Sequence, residues 1–217
     1  MISPKYTNSH AFYPLSHFKV VPAQINLYLD YNCPFSAKIF FKFKQSVIPQ
    51  LESKHPGKFQ FNFMNVIQPW HSNSNYLHEF SLSVAKLIRE RELTSELFWS
   101  VSESLFKNIK KFSDNANSDK GRNEIYADIY KAVTEDVELP FSKEEVLGNI
   151  QIAQVKDESD YDNAGNAVTV DVKYFTRYQR TVGVHVTPTV SVNGIENGGI
   201  SSGSEPEELA KILESAL

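Results

Sequence analysis

Apolar and polar positions recur with two different periods along this chain, and the change of period divides it. Ile25, Leu27 and Leu29, with Tyr28, read as a strand that ends at Asp30-Tyr31-Asn32, where the turn preference of Asp and Asn takes over. Beyond Cys33-Pro34-Phe35-Ser36, the residues Ile39, Phe40, Phe43, Val47 and Leu51 fall at helical spacing. Pro34 suits a first helical position, which needs no amide donor, and Pro49 lies near the expected end of that helix. His55-Pro56-Gly57 predicts a turn. Phe59, Phe61 and Phe63 then alternate with Gln60 and Asn62, the pattern of a strand with one buried face.

From residue 72 to about 158 the texture changes to long amphipathic stretches with no strand pattern, including Leu82, Ala85, Leu87 and Ile88, then Leu97, Val101, Leu105 and Phe106. This predicts an all-helical insertion. Residues 113–122 form a polar loop, Leu139-Pro140 interrupts the pattern, and Ser142 with Glu145 offers a capping box for a short helix. The charges at Lys156, Asp157, Glu158, Asp160 and Asp162 read as a solvated boundary.

Residues 166–182 predict a further helix that buries Val168, Val172, Phe175 and Tyr178 and stops at Gly183. Thr187-Pro188 precedes a short alternating strand, Asn193-Gly194 suits a tight hairpin, and residues 195–200 give a weaker return strand. The last helix is expected to start on a capping box of Ser204 and Glu207, with Pro206 in its first turn. The resulting division is an N-terminal arm at 1–22, an α/β domain built from 23–67 and 164–217, and a helical insertion at 68–163.

Composition narrows the function. With 217 residues, 41% hydrophobic, and only 9 Gly and 10 Pro, the chain supports one sizeable core and argues against low-complexity or wholesale disorder. Its net charge of -4 and lack of a basic run give no support to a nucleic-acid partner or an anionic membrane, which leaves a small metabolite or a protein. One cysteine cannot form an intramolecular disulfide, no stretch resembles a signal peptide, and no Asn-x-Ser/Thr acceptor occurs. A cytoplasmic or other reducing intracellular compartment is therefore expected. A homodimer is left open.

That cysteine sits between a strand and a helix. Unpaired backbone amides and the positive end of the helix dipole at such a place favour thiolate over thiol, so Cys33 is a candidate nucleophile. The order of strand, Cys-Pro-x-x at a helix start, strand, helical insertion, helix, Thr-Pro before a strand, hairpin and final helix resembles the thioredoxin superfamily. Its similarity is to the branch of the bacterial disulfide oxidoreductase DsbA, over almost the whole chain. That resemblance implies a thioredoxin fold with a helical insertion, and a cis-proline at Pro188 facing the nucleophile. It also implies that Pro188 and the Thr187 backbone hold an extended thiol-bearing ligand beside Cys33.

The motif departs from the dithiol pattern at Ser36, which stands where such enzymes have a second cysteine. A serine can hydrogen-bond the Cys33 sulfur but cannot resolve a mixed disulfide. The consistent version is a monothiol reaction cleared by an outside thiol, with glutathione as co-substrate. Kappa-class glutathione transferases and 2-hydroxychromene-2-carboxylate isomerases look like the same fold and place Ser where Cys33 lies. A second signature, Gln68-Pro69-Trp70-His71, follows the Phe-rich strand. Trp70, with Pro34 and Phe35, is expected to wall a substrate pocket, and His71 to serve as general base or ion-pair partner for Cys33. His78 and Glu79 read as helix anchors.

The rival reading is a non-catalytic module that binds an extended peptide in the same groove. Other signals fail on context. Gly199-Ile200-Ser201-Ser202-Gly203 matches a hydrolase elbow but no later His follows it, and it reads as a loop near the site. His78-Glu79 lacks a second His at metal spacing, and the glycines match no nucleotide fingerprint, so neither a metal nor a nucleotide cofactor is expected.

Overall fold

The computed structural model describes residues 2–217. Its centre is a four-stranded sheet of order β2-β1-β3-β4, formed by β1 (Ala23–Leu29), β2 (Phe59–Asn65), β3 (Thr189–Val192) and β4 (Ile195–Glu196). β1 and β2 run parallel from Ala23↔Phe59 to Leu29↔Asn65, and β3 lies antiparallel to β1 with Leu27 opposite Val190. Parallel strands need a crossover, supplied by the helical run after Cys33.

That run comprises α1 (Pro34–Lys42), a π-helical turn (Phe43–Val47) and α2 (Ile48–Lys54). Pro49 does not end it. Without an amide hydrogen, Pro49 makes no bond to the preceding turn, and the wide turn accommodates this by having the Ile48 amide donate to the Phe43 carbonyl, five residues back. The apolar positions Ile39, Phe40, Phe43, Val47 and Leu51 all face the core.

The insertion holds four α-helices, α3 (Ser74–Glu90), α4 (Glu96–Lys107), α5 (Arg122–Thr134) and α6 (Lys143–Gly148). The capping box of α6 forms, with the Glu145 amide donating to Ser142 Oγ and the Ser142 amide to the Glu145 carboxylate. His78 and Glu79 lie inside α3, and Glu79 accepts from Arg122 at 2.7 Å, from Asn166 at 2.9 Å and from Tyr126. The chain returns through the exposed segment 151–163 to α7 (Thr169–Thr181), the β3-β4 hairpin and α8 (Pro206–Glu214). Asn193 and Gly194 both have positive φ, which suits the tight turn between β3 and β4.

Four details add to the sequence pattern or correct it. The 1–22 arm packs on the fold: its helical turns Pro4–Tyr6 and Thr7–His10 bury Tyr6, Ser9 and His10, and Ala11 pairs with Asn62. For that reason β2 is buried on both faces. Gln60 exchanges hydrogen bonds with the Tyr13 backbone, and Asn62 donates to Asn26 and Gln24, so the polar alternation of β2 is satisfied internally rather than by water. The return strand β4 is only two residues long. Finally, α8 begins after Glu205 with no side-chain cap, so the Ser204 capping box does not form and Pro206 alone marks the start.

Candidate active site

β1 ends at Leu29 and the chain turns through Asp30, Tyr31 and Asn32 onto Cys33, the N-cap of α1. The turn closes on itself, since the Cys33 amide donates to the Asp30 carbonyl at 3.0 Å and the Asn32 amide to Asp30 Oδ1 at 2.9 Å. Pro34 then opens the helix, as its fixed φ requires. Cys33 is 5% exposed, and its Sγ lies 3.4 Å from the carbonyl oxygen of Thr187. The Thr187–Pro188 peptide bond is cis.

Large apolar side chains are exposed next in sequence to the residues that form or touch the cysteine turn. Phe35 is 62% exposed, Trp70 59% and Val186 59%, and Pro34 and Pro69 are exposed beside them in sequence. Phe35 lies two residues after Cys33, Val186 precedes Thr187, which touches the sulfur, and Trp70 precedes His71, which binds Asp30; exposed large apolar side chains so placed are the kind that contact a ligand or another protein. Trp70 lies on the loop after β2, which is held to the Thr187 loop by Gln68 Nε2 donating to the His185 carbonyl at 3.2 Å.

Two expected contacts to the sulfur are absent. Ser36 does not hydrogen-bond Cys33: its hydroxyl is fully buried on the inner face of α1 and accepts from the Asp30 amide at 3.2 Å. Three residues along a helix from its N-cap, that side chain turns back toward the strand end that feeds the helix. His71 does not pair with Cys33 either. Its Nδ1 lies 2.7 Å from Asp30 Oδ2, which makes it the partner of a buried carboxylate.

Asp30 is the residue the sequence reading missed as a functional group, treating it only as turn chemistry. Its side chain is wholly buried and accepts from the Asn32 amide, the Gln68 amide at 3.3 Å, Ser74 Oγ at 2.7 Å and His71, with His78 Nε2 at 3.7 Å. Burial, the largest influence, pushes the carboxyl up, but the neighbouring His78, the bond from His71 and the Asn32 amide outweigh it and hold Asp30 below the usual carboxylate range. One carboxylate thus ties the cysteine turn, the Trp70–His71 loop and the start of α3. The insertion is fastened to the same turn, with Asn32 Nδ2 and Asn73 Nδ2 both donating to the Phe112 carbonyl, at 3.0 and 3.1 Å.

Behind Asp30 the polar network continues inward. Asn65 donates from Nδ2 to His78 Nδ1 at 2.8 Å and its Oδ1 lies 3.0 Å from His10 Nε2, while His10 Nδ1 is 2.8 Å from Ser9 Oγ. Burial, helped by the nearby Arg89, drives the His10 pKa down to about 3, so its ring is neutral.

No protein-family model matches the chain, and no curated protein matches it by sequence. Solved structures do. A Pseudomonas syringae protein provisionally named a protein-disulfide isomerase superposes with a TM-score of 0.71 at 22% identity, covering 96% of this chain and 99% of its own. MdbA, a thiol-disulfide oxidoreductase from Corynebacterium diphtheriae, gives 0.59 at 17% identity over 97% of this chain and 91% of its own. Oxidised BdbD from Bacillus subtilis gives 0.58 at 16% identity over 97% and 93%. This chain has a DsbA-like thioredoxin fold. The shared feature is the architecture, a mixed sheet carrying a helical insertion. Within this DsbA-like fold Cys33 occupies the strand-to-helix turn, Thr187 and Pro188 face it from the loop before β3, and Ser36 carries no sulfur.

Proposed function

We propose that this protein is a thiol-disulfide oxidoreductase that works through Cys33 alone and is cleared by an outside thiol, with glutathione as the co-substrate. The observation that carries the reading is the placement of Cys33 at the N-cap of α1, with its sulfur 3.4 Å from the Thr187 carbonyl and Phe35 exposed in the first turn of that helix. The thiolate is the attacking species, so the proton that the Cys33 thiol directs at the Thr187 carbonyl leaves before attack.

In this reading Cys33 attacks one sulfur of a disulfide R–S–S–R′, forming Cys33–S–S–R and releasing R′–SH once a proton is supplied. An external thiol then attacks the R sulfur, returns Cys33 and leaves as the new mixed disulfide; no net oxidant is consumed. Ser36 makes this dependence on a second thiol obligatory. Pro34, Phe35 and Trp70 supply apolar contact to R, while Thr187 and Pro188 offer backbone to an extended substrate, which includes thiol- or disulfide-bearing small molecules and proteins. The neighbours named as oxidoreductases support this chemistry. A reducing compartment such as the cytoplasm supplies the clearing thiol.

Intact mass measurement after exposure to oxidised glutathione tests the reading. One glutathione on Cys33, removed by reduced glutathione with turnover, is the expected result. No adduct on Cys33 and no turnover would refute it.

One observation favours a second reading, a peptide-binding module: Cys33 is 5% exposed while the apolar Phe35 and Trp70 are open. On that reading Cys33→Ser keeps the affinity of the wild type for an extended peptide, and disulfide exchange is absent from both.

A further inference from the structure

Asp30 and His71 form a pair whose geometry has the parts of a proton carrier. His71 Nδ1 is 2.7 Å from Asp30 Oδ2, and the other carboxylate oxygen of Asp30 accepts from the amide of Asn32, the residue before Cys33. The imidazole therefore stands one carboxylate away from the cysteine turn. Asp30 is fully buried and the His71 side chain 22% exposed. With Nδ1 turned to the buried acid, Nε2 is left with no hydrogen-bond partner among the described residues. Asp30 is itself over-determined by Ser74 Oγ and the Gln68 amide, so the ring it holds has one orientation.

We propose that Asp30 is a positioning residue that fixes His71 with Nδ1–H directed at the carboxylate, so that Nε2 exchanges protons with the thiols that leave and enter at Cys33. The inference rests on the exchange reading above and supplies the proton that reading needs. As Cys33 sulfur bonds to R and the R–S′ bond breaks, Nε2–H of protonated His71 passes its proton to the departing R′ sulfur, which leaves as R′–SH. The neutral ring then takes the proton of the incoming thiol as its sulfur attacks R, which restores the Cys33 thiolate and the imidazolium. The buried Asp30 charge stabilises that imidazolium and fixes the tautomer, the work a buried carboxylate does for a catalytic histidine in general.

The test exploits the leaving group. A thiol of low pKa departs as the anion unaided, whereas an alkyl thiol gains from a proton donor. Single-turnover reaction of Cys33 is measured with 5,5′-dithiobis(2-nitrobenzoate) and with hydroxyethyl disulfide. His71→Ala and Asp30→Asn are expected to slow the alkyl disulfide by about 10²-fold, the low end of general acid-base effects, and to leave the aromatic one nearly unchanged. Free imidazole is expected to restore His71→Ala on the alkyl substrate, and Asp30→Asn should add nothing in the His71→Ala background. Equal slowing on both disulfides, or additive losses, would overturn the inference while leaving Cys33 exchange standing. A wild-type protein that reacts with neither disulfide at Cys33 would end the exchange reading, and this one with it. Should Asp30→Asn fail to fold, nitrogen NMR of His71 in the wild-type protein decides the Asp30 half: neutral His71 is expected as the Nδ1–H tautomer, and the Nε2–H tautomer found in free histidine would refute the alignment.

Discussion

The sulfur of Cys33 lies 3.4 Å from the carbonyl oxygen of Thr187, 154 residues away in the chain. The contact joins the first and last thirds of the molecule at one atom, and it is the only hydrogen bond that sulfur makes among the described residues. Removing the sulfur therefore costs little structure. Cys33→Ser is expected to abolish disulfide exchange, yet to lie within about 1 kcal/mol of the wild type in a denaturant melt, the worth of one ordinary hydrogen bond. Retained exchange would remove Cys33 from its role.

The two exposed aromatic side chains separate binding from stability. Phe35 and Trp70 are 62% and 59% exposed, so truncating either to alanine opens no cavity. Exposed positions of this kind are expected to move stability by less than about 0.5 kcal/mol. If Trp70 contacts substrate, Trp70→Ala raises KM for a peptide disulfide roughly tenfold, the loss usual for a truncated aromatic anchor worth more than 1 kcal/mol. An unchanged KM in steady-state kinetics with a folded variant would show that the substrate docks elsewhere.

Ser36 offers a test in the opposite direction. Its buried hydroxyl accepts from the Asp30 amide, so Ser36→Ala leaves that amide without a partner and is expected to cost ~1–3 kcal/mol in chemical denaturation. Because the hydroxyl does not reach the sulfur, the rate at which folded Ser36→Ala forms its Cys33 mixed disulfide should match the wild type. A selective fall in that rate, with stability unchanged, would mean that the hydroxyl serves the sulfur instead.

Much of this was legible in the chain because it depends on local pattern. The Cys33-Pro34 helix start, the alternating Phe59, Phe61 and Phe63, and the Ser142–Glu145 cap each involve residues a few positions apart, where periodicity and capping rules operate. The missed parts depend on partners far off in sequence. His71 meets Asp30 across 41 residues and Asn65 meets His10 across 55, and neither histidine carries a mark of its partner in its own neighbourhood. Ser36 was misdirected for a related reason: its spacing from Cys33 fits either a contact with the sulfur or one with the strand end, and only the path of the turn through Asp30 decides between them.

His10 makes the buried network visible as a pH dependence. Burial lowers its pKa from 6.5 to about 3, so between those values the unfolded chain binds a proton that the folded protein does not. The stability this group contributes is complete above about pH 6.5 and is lost as the pH falls toward 3. Per pH unit the loss approaches ~1.4 kcal/mol, or about 2 kcal/mol between pH 6.5 and 5. Asp30 and Asp171, both held below the usual carboxylate range, add their own losses only at lower pH, as their unfolded counterparts begin to protonate. His10→Gln keeps a polar side chain between Ser9 and Asn65 but has no proton to bind. Its urea-derived stability is expected to be lower at pH 7 and flatter from pH 7 to 5, so the two curves converge as acid is added. Parallel curves would mean that His10 is protonated in the folded protein and that the chain from Ser9 to His78 is arranged around a charged ring.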